Sequence, residues 1–138
     1  MDYVRTILNF PIPRILAWSS HASGTPVGAE FILMEKAGDA TLRDRLKSRP
    51  DYGTMGPTIE TLIELESRCL KAVFSQFGSL YYKEDVSPEL QELELYAASS
   101  EIKEGADRFR IGPSVHPGFW RGQRASMNVD RGPCPYFF

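Results

Sequence analysis

The apolar positions of this chain fall into short runs separated by polar stretches rich in glycine and proline, and one run keeps a helical period for several turns. Pro11 and Pro13 each fix their own φ and push the preceding residue out of the α region, so the chain is extended from Asn9 to Pro13. A helix arriving from Met1 must stop near Leu8. Ile15, Leu16, Ala17 and Trp18 then form a short apolar run with strand propensity. Ser19 to Pro26 is polar, carries Gly24 and Pro26, and reads as a connection. Ala29 to Met34 is a second apolar strand, closed by Gly38-Asp39, so the pair predicts a hairpin with a long loop. Phe31 and Leu33 point to one face and Ile32 and Met34 to the other. Both faces are apolar, and both are expected to be covered, one by a helix and one as the wall of a cavity.

Thr41 to Ser48 predicts a short helical turn with Leu42 and Leu46 on one face, limited by Pro50. Gly53, Gly56 and Pro57 predict turns. The strongest helix is expected from about Thr58 to Phe77. There Ile59, Leu62, Ile63, Cys69, Leu70, Val73 and Phe74 recur at three- and four-residue spacing, while Glu60, Glu64, Arg68 and Lys71 take the other faces. Gly78 to Tyr82 is a short strand. Ser87-Pro88-Glu89 is a helix start, with Ser87 capping, Pro88 in the first turn, and Leu90, Leu93 and Ala97 on the packed side. Lys103 to Arg110 is charged and expected to be solvated. Phe109 to Ser114 and His116 to Trp120 read as short extended pieces and turns, and Arg121 to Phe138 shows little periodicity before its aromatic end. Mixed short strands and helices define an α+β class.

The 138 residues carry 16 Lys and Arg against 18 Asp and Glu, a formal charge of -2, with both signs interspersed. No large positive field exists, so neither a nucleic-acid partner nor a membrane surface is expected. No run approaches the length of a membrane span. Cys69 and Cys134 form no CxxC pair, and neither His21 nor His116 stands at zinc-ligand spacing to them, so no metal site is expected. Cys69 sits in the apolar helical pattern and is expected to be a buried thiol. An intracellular, reducing compartment suits this cysteine usage, and residues 1–138 encode no targeting segment.

Glu35-Lys36-Ala37-Gly38 carries backbone amides and carbonyls out of the sheet beside an apolar strand face. Such an edge can hydrogen-bond a flat heterocycle lying on that face; the competing reading is a core strand followed by a surface turn. Elsewhere the structural reading is favoured. Ser19-Ser20-His21 is a loop without a nucleophile elbow, Glu60 and Glu64 keep a helix face wet, and Lys36 and Lys71 point to solvent. Trp18 and Trp120 are not interleaved with a basic patch, and Asp130-Arg131 is a turn or ion-pair element.

The string from Ile12 to Gly38, IPRILAWSSHASGTPVGAEFILMEKAG, together with Phe77 to Tyr82, Ile111 to Ser114, Phe119-Trp120 and Asp130 to Pro133, resembles the fungal aminoglycoside-phosphotransferase-like proteins. Proteins named for altered inheritance of mitochondria belong to that group. The resemblance implies a partial protein-kinase-like fold, with residues 1–37 the end of an N-lobe and its hinge, and residues 38–138 the start of a helical C-lobe with an insert. By the same likeness Met34 lies at the back of a nucleotide pocket, and the Glu35 carbonyl and Ala37 amide face the adenine edge. ATP and Mg are the cofactors of the complete family, and the likeness implies a mitochondrial parent. Asn128 replaces the usual aspartate, and Cys134 the usual tryptophan after Gly-Pro.

Phosphoryl transfer is positioning and electrostatic stabilisation by a phosphate-contacting loop, a strand lysine, a catalytic aspartate and metal-holding Asn or Asp. Residues 1–138 contain no GxGxxG or GxxxxGK[ST], nor a His-Gly-Asp or Asp-Phe-Gly string. The resemblance implies that these parts lie outside this stretch. Three readings follow: an incomplete kinase-like domain without catalytic activity and with no cofactor of its own, a module that binds a protein partner or itself through uncovered strand edges and helix faces, and a weak nucleotide binder using only the hinge.

Overall fold

A computed structural model describes residues 1–19, 22–38, 40–48 and 52–135, without the side chains of residues 45, 46, 48, 52 and 54. Among them the chain is α+β. Helices α1 (Asp2–Thr6), α2 (Leu42–Ser48), α3 (Tyr52–Lys71) and α4 (Pro88–Gln91) are interspersed with strands β1 (Ile15–Ser19), β2 (Phe31–Met34), β3 (Gln76–Phe77), β4 (Ser79–Tyr82), β5 (Phe109–Gly112) and β6 (Cys134–Pro135). The strands pair antiparallel as β1 with β2, β3 with β6, and β4 with β5. Two compact units divide the chain, Met1–Arg68 and Cys69–Phe138.

In the first unit α1 ends where the proline pair requires. The Arg5 guanidinium donates to the Ile12 carbonyl, and the Phe10 amide donates to the Val4 carbonyl at 3.0 Å. Asn9 adopts φ 52°, a left-handed turn that asparagine tolerates better than most residues, and its carbonyl accepts from Arg68 Nη1 at 2.9 Å. Tyr3 and Leu8 form the buried core here. The predicted hairpin is present, with Ile15 opposite Met34, Ala17 opposite Leu33 and Trp18 opposite Ile32, and a register shift at Leu16. Its faces are not covered as the apolar pattern predicts. Leu16, Trp18, Ile32, Leu33 and Met34 are all exposed. Among the described residues a two-stranded sheet without a third layer exposes both sides of the pleat.

The α2 turn forms as expected, although Pro50 and Asp39, invoked as its limit and as the end of β2, lie outside the described residues. Helix α3 departs from the prediction at both ends. It begins at Tyr52 and runs through Gly53, Gly56 and Pro57, so the helix carries an interior proline that local propensity disfavours. It ends at Lys71 rather than Phe77. Beyond that point the backbone bonds sideways: Glu101 N donates to Lys71 O at 3.1 Å, Ala97 N to Val73 O at 2.9 Å and Ser75 N to Leu95 O at 3.0 Å. Val73 and Phe74 are residues that a pleated edge accommodates well, and Phe74 bridges Tyr96 with their rings stacked at 5.7 Å. Tertiary pairing here overrides a helical period. Ile59, Leu62, Ile63 and Leu70 are exposed, and so is Cys69, which corrects its assignment as a buried thiol.

The second unit holds the larger core: Val86, Leu95, Tyr96, Phe109 and Ile111. Strand β4 lies against β5 with Leu80 opposite Ile111, and Tyr82 stacks on Phe109 at 5.3 Å. All four β5 residues are buried, so the charged stretch is solvated as expected at Lys103, Glu104, Asp107 and Arg108 and departs from that expectation only at its end, Phe109 and Arg110. The Arg110 guanidinium points inward, where Nε donates to Gln91 O at 2.7 Å and Nη1 to Phe109 O at 2.7 Å and to Ala106 O. Carbonyls at the end of α4 and in the following turns need donors, and one planar fork supplies them. Ser100 is the other buried polar hub, its hydroxyl placed among Lys71 O, Val73 N and the Ile102 backbone. Helix α4 is a single turn with no cap bond from Ser87 to its backbone. Instead the Glu89 carboxylate takes its own amide and the Ser87 hydroxyl, which holds it below the usual carboxylate range. Leu95 and Tyr96 carry the packing assigned to Leu90 and Leu93; Leu93 is exposed.

Candidate functional site

The stretch singled out for base recognition, Met34 to Ala37, leaves the hairpin at its open end. Met34 pairs with Ile15, and Glu35 to Gly38 lie beyond the last ladder pair. One more backbone bond closes that end, from Glu35 N to Arg14 O at 2.9 Å. The Glu35 side chain folds back on the same partner: Oε2 accepts from the Arg14 amide at 2.9 Å, and Oε1 stands 3.3 Å from Arg14 Nε. These side chains are 62% and 45% exposed, so the ion pair itself contributes little, about 0–1 kcal/mol. Its effect is geometric. A carboxylate clamped to the end of β1 sets the direction in which residues 36–38 leave the sheet.

Sequence reasoning missed Arg14. The signal was present, since opposite charges flanking two strands that pair as Ile15 with Met34 must face each other across the mouth of the hairpin. Met34 is 39% exposed, and Glu35 and Ala37 are exposed as well. A depression of about 490 Å³ lies at the other end of the hairpin, lined by Trp18, Ser19, Glu30, Phe31 and Ile32. Hence the apolar hollow beside Trp18 and the proposed base edge at Ala37 sit at opposite ends of the strand pair.

Among the described residues no group of three His, Cys, Asp or Glu side chains could hold a metal ion, and no helix is long and apolar enough to cross a membrane. Lys71 stands 3.7 Å from Glu101 on the surface, and Glu60 and Glu64 are exposed. Asp130 is a turn element: its Oδ1 accepts from Gly132 N at 2.8 Å. Arg131 stands over the Trp120 ring, its Cζ 4.1 Å from the ring centre, and donates to the carbonyls of Arg124 and Met127 at 2.8 and 3.2 Å. Of Ser19-Ser20-His21, the last two lie outside the described residues.

The described residues define an α+β chain of two compact units, the first of which carries the strand pair. Comparison with known proteins then places it among fungal relatives. It is 35% identical over 134 residues to a subtelomeric hrmA-associated cluster protein of Aspergillus fumigatus, which covers 97% of this chain and 24% of that protein. It is 31% identical over 139 residues to altered inheritance of mitochondria protein 9, mitochondrial, of Yarrowia lipolytica, covering 96% of this chain and 24% of that protein. The protein of that name from Clavispora lusitaniae is 30% identical over 143 residues, 99% of this chain and 23% of its own length. The chain therefore spans about a quarter of the length of these relatives, and its resemblance to them is at the level of a family. No protein-family model matches the chain, and no solved structure matches it.

Proposed function

We propose that residues 1–138 carry the base-recognition crossover and following segment of a kinase-like phosphotransferase fold, and that this stretch does not transfer phosphate by itself. In this reading residues 1–37 end the N-lobe, and residues 38–138 begin the helical lobe and its insert. Met34, Glu35 and Ala37 form a vestigial adenine hinge. The observation that supports it best is the exit of β2: Glu35 is locked to Arg14 while the chain from Lys36 onward leaves the ladder. A hinge alone offers a nucleotide a few hydrogen bonds and one uncovered apolar face, and ordering costs consume much of their value. Triphosphate and Mg, the cofactors of the complete family, have no counterpart to grip in this sequence. The mitochondrial name of several relatives supports a mitochondrial parent.

Calorimetric titration of the 138-residue chain with ATP and magnesium tests the hinge. Binding weaker than about 1 mM, equivalent to about 4 kcal/mol or less, is the expected result. Saturable binding in the micromolar range would show that the stretch is a nucleotide site in its own right.

A second reading is supported by a different observation. Strands β1 and β2 contain no charged residue and expose Leu16, Trp18, Ile32 and Leu33, the features that make an open strand pair associate with another chain. In that reading the chain is an interaction module or associates with itself. Sedimentation velocity over a hundredfold concentration range decides it: a reversible, concentration-dependent species supports the module, and a monomer throughout argues against self-association.

A further inference from the structure

We propose that the depression of about 430 Å³ lined by His116, Gly118, Phe119, Arg124, Met127 and Val129 is a binding site for a carboxylate carried on an apolar body. Two 3-10 turns, Pro117–Phe119 and Gly122–Ala125, build its walls. Its apolar part is Phe119, Met127 and Val129. Its polar part is two groups whose orientation is already set by the backbone.

The first is His116. Its Nδ1 accepts the Gly118 amide at 3.1 Å, which requires that the ring proton reside on Nε2 in the neutral form. Nε2–H is therefore a donor, and the ring is further held edge-on to Phe119 with centroids 6.5 Å apart. Gly118 has to be glycine for this geometry, because a Cβ there would lie 2.9 Å from Nδ1. The second is Arg124, whose Nη1 donates to the Gly118 carbonyl at 2.9 Å. One nitrogen of the fork is spent on fixing the guanidinium, and a carboxylate is the planar acceptor that suits the remainder.

Charge points the same way. Residues 113–133 carry Arg121, Arg124 and Arg131 against Asp130 alone, and the Asp130 carboxylate is turned onto the Gly132 amide. Among the described residues the lining contains no acidic residue. In a chain that is negative overall, this is a locally positive, open depression in which exposed Phe119 and Met127 and half-buried Val129 offer apolar surface beside the two polar groups. The Arg131 guanidinium is committed to Trp120 and to carbonyls, which leaves His116 and Arg124 as the recognition pair.

The test is amide chemical-shift titration of the 138-residue chain with 3-phenylpropanoate, with 3-phenylpropanamide as the uncharged control and N-acetyl-Gly-Phe, free or amidated at its terminus, as the peptide arm. Saturable shifts confined to residues 114–131, with the acid binding about tenfold more tightly than its amide, are expected for a charge-assisted contact. Tighter binding of the peptide acid than of 3-phenylpropanoate identifies a polypeptide terminus as the source, and the reverse a free acid. His116→Asn separates binding from folding, since the asparagine oxygen can still accept the Gly118 amide while the Nε2–H donor is lost. The Gly118 shift is expected to be retained while acid binding weakens about fivefold. Equal binding of acid and amide, no saturation up to about 10 mM, or unchanged acid binding in the asparagine variant would overturn the proposal.

Discussion

Replacing Arg110 by methionine removes a cation from the core of the second unit, the one buried charged residue among the described residues. Its guanidinium donates to Gln91 O, Ala106 O and Phe109 O, and the residue is 9% exposed. Hydrogen bonds to a charged group contribute about 1.5–3 kcal/mol each, so three bring an upper sum of about 4.5–9 kcal/mol. Two of the three share Nη1, and desolvating the cation costs several kcal/mol in return. Methionine keeps most of the volume but leaves buried carbonyls without donors, which is the dominant loss. The expected destabilisation is about 3–5 kcal/mol, a large part of the 5–15 kcal/mol typical of a domain. Arg110→Lys should recover only part of it, because a single ammonium cannot reproduce the planar fork. Urea unfolding followed by circular dichroism measures both variants. A methionine variant within about 0.5 kcal/mol of the parent, the range of an ordinary surface change, would refute the clamp.

Further outcomes follow from other contacts. Ser100→Ala should cost about 1–3 kcal/mol, because Val73 N and Ile102 N lose an acceptor inside the fold; thermal melts check it. Gly78→Ala places a Cβ against the Gly112 carbonyl and 2.8 Å from Ile111 Cγ2. That overpacking where β4 meets β5 is expected to cost about 1–3 kcal/mol in the same assay. Burial raises the Tyr81 pKa, and its hydroxyl donates to Pro113 O at 2.9 Å. The neutral phenol is the form the fold favours, so this stability is intact below the ordinary value of 10.0 and is lost as pH rises through the raised value. Ultraviolet phenolate titration of the parent and of Tyr81→Phe measures it, and a Tyr81 that ionises with the exposed tyrosines would contradict the burial. Ile32 is 59% exposed; Ile32→Lys should leave stability within about 0.5 kcal/mol and lower any self-association seen by sedimentation, whereas a marked loss of stability would mean that this face is covered.

Much of the fold was legible where local chemistry decides. Pro11 and Pro13 fix the end of the first helix, the two apolar runs at Ile15 and Phe31 define a hairpin, and Gly78 to Tyr82 gives its strand. The misreadings share one physical cause. Helical spacing continues through Val73, Phe74 and Phe77, but residues 95–101 offer that backbone lateral partners, and period alone carries no information about a segment more than twenty positions away. The same holds for Arg110, whose charge argues for solvent until the carbonyls of Gln91 and Ala106 are brought around it. Among the described residues Ile32, Leu33 and Met34 of β2 and Ile59, Leu62, Ile63 and Leu70 of α3 are exposed, so apolar periodicity by itself did not tell a covered face from an open one. At the candidate site the exit of the chain at Glu35 was legible, and the Arg14 clamp beside it became legible only once the register of the strand pair, Ile15 opposite Met34, was fixed.

Release or transfer of the γ-phosphate of radiolabelled ATP by the purified 138-residue chain, with magnesium present, tests the central claim most directly. The account predicts a rate no greater than that of buffer, since the sequence contains no phosphate-loop or Asp-Phe-Gly-like motif. Turnover above that background, abolished by one substitution at Met34, Glu35 or Ala37 in a variant that remains folded, would contradict it.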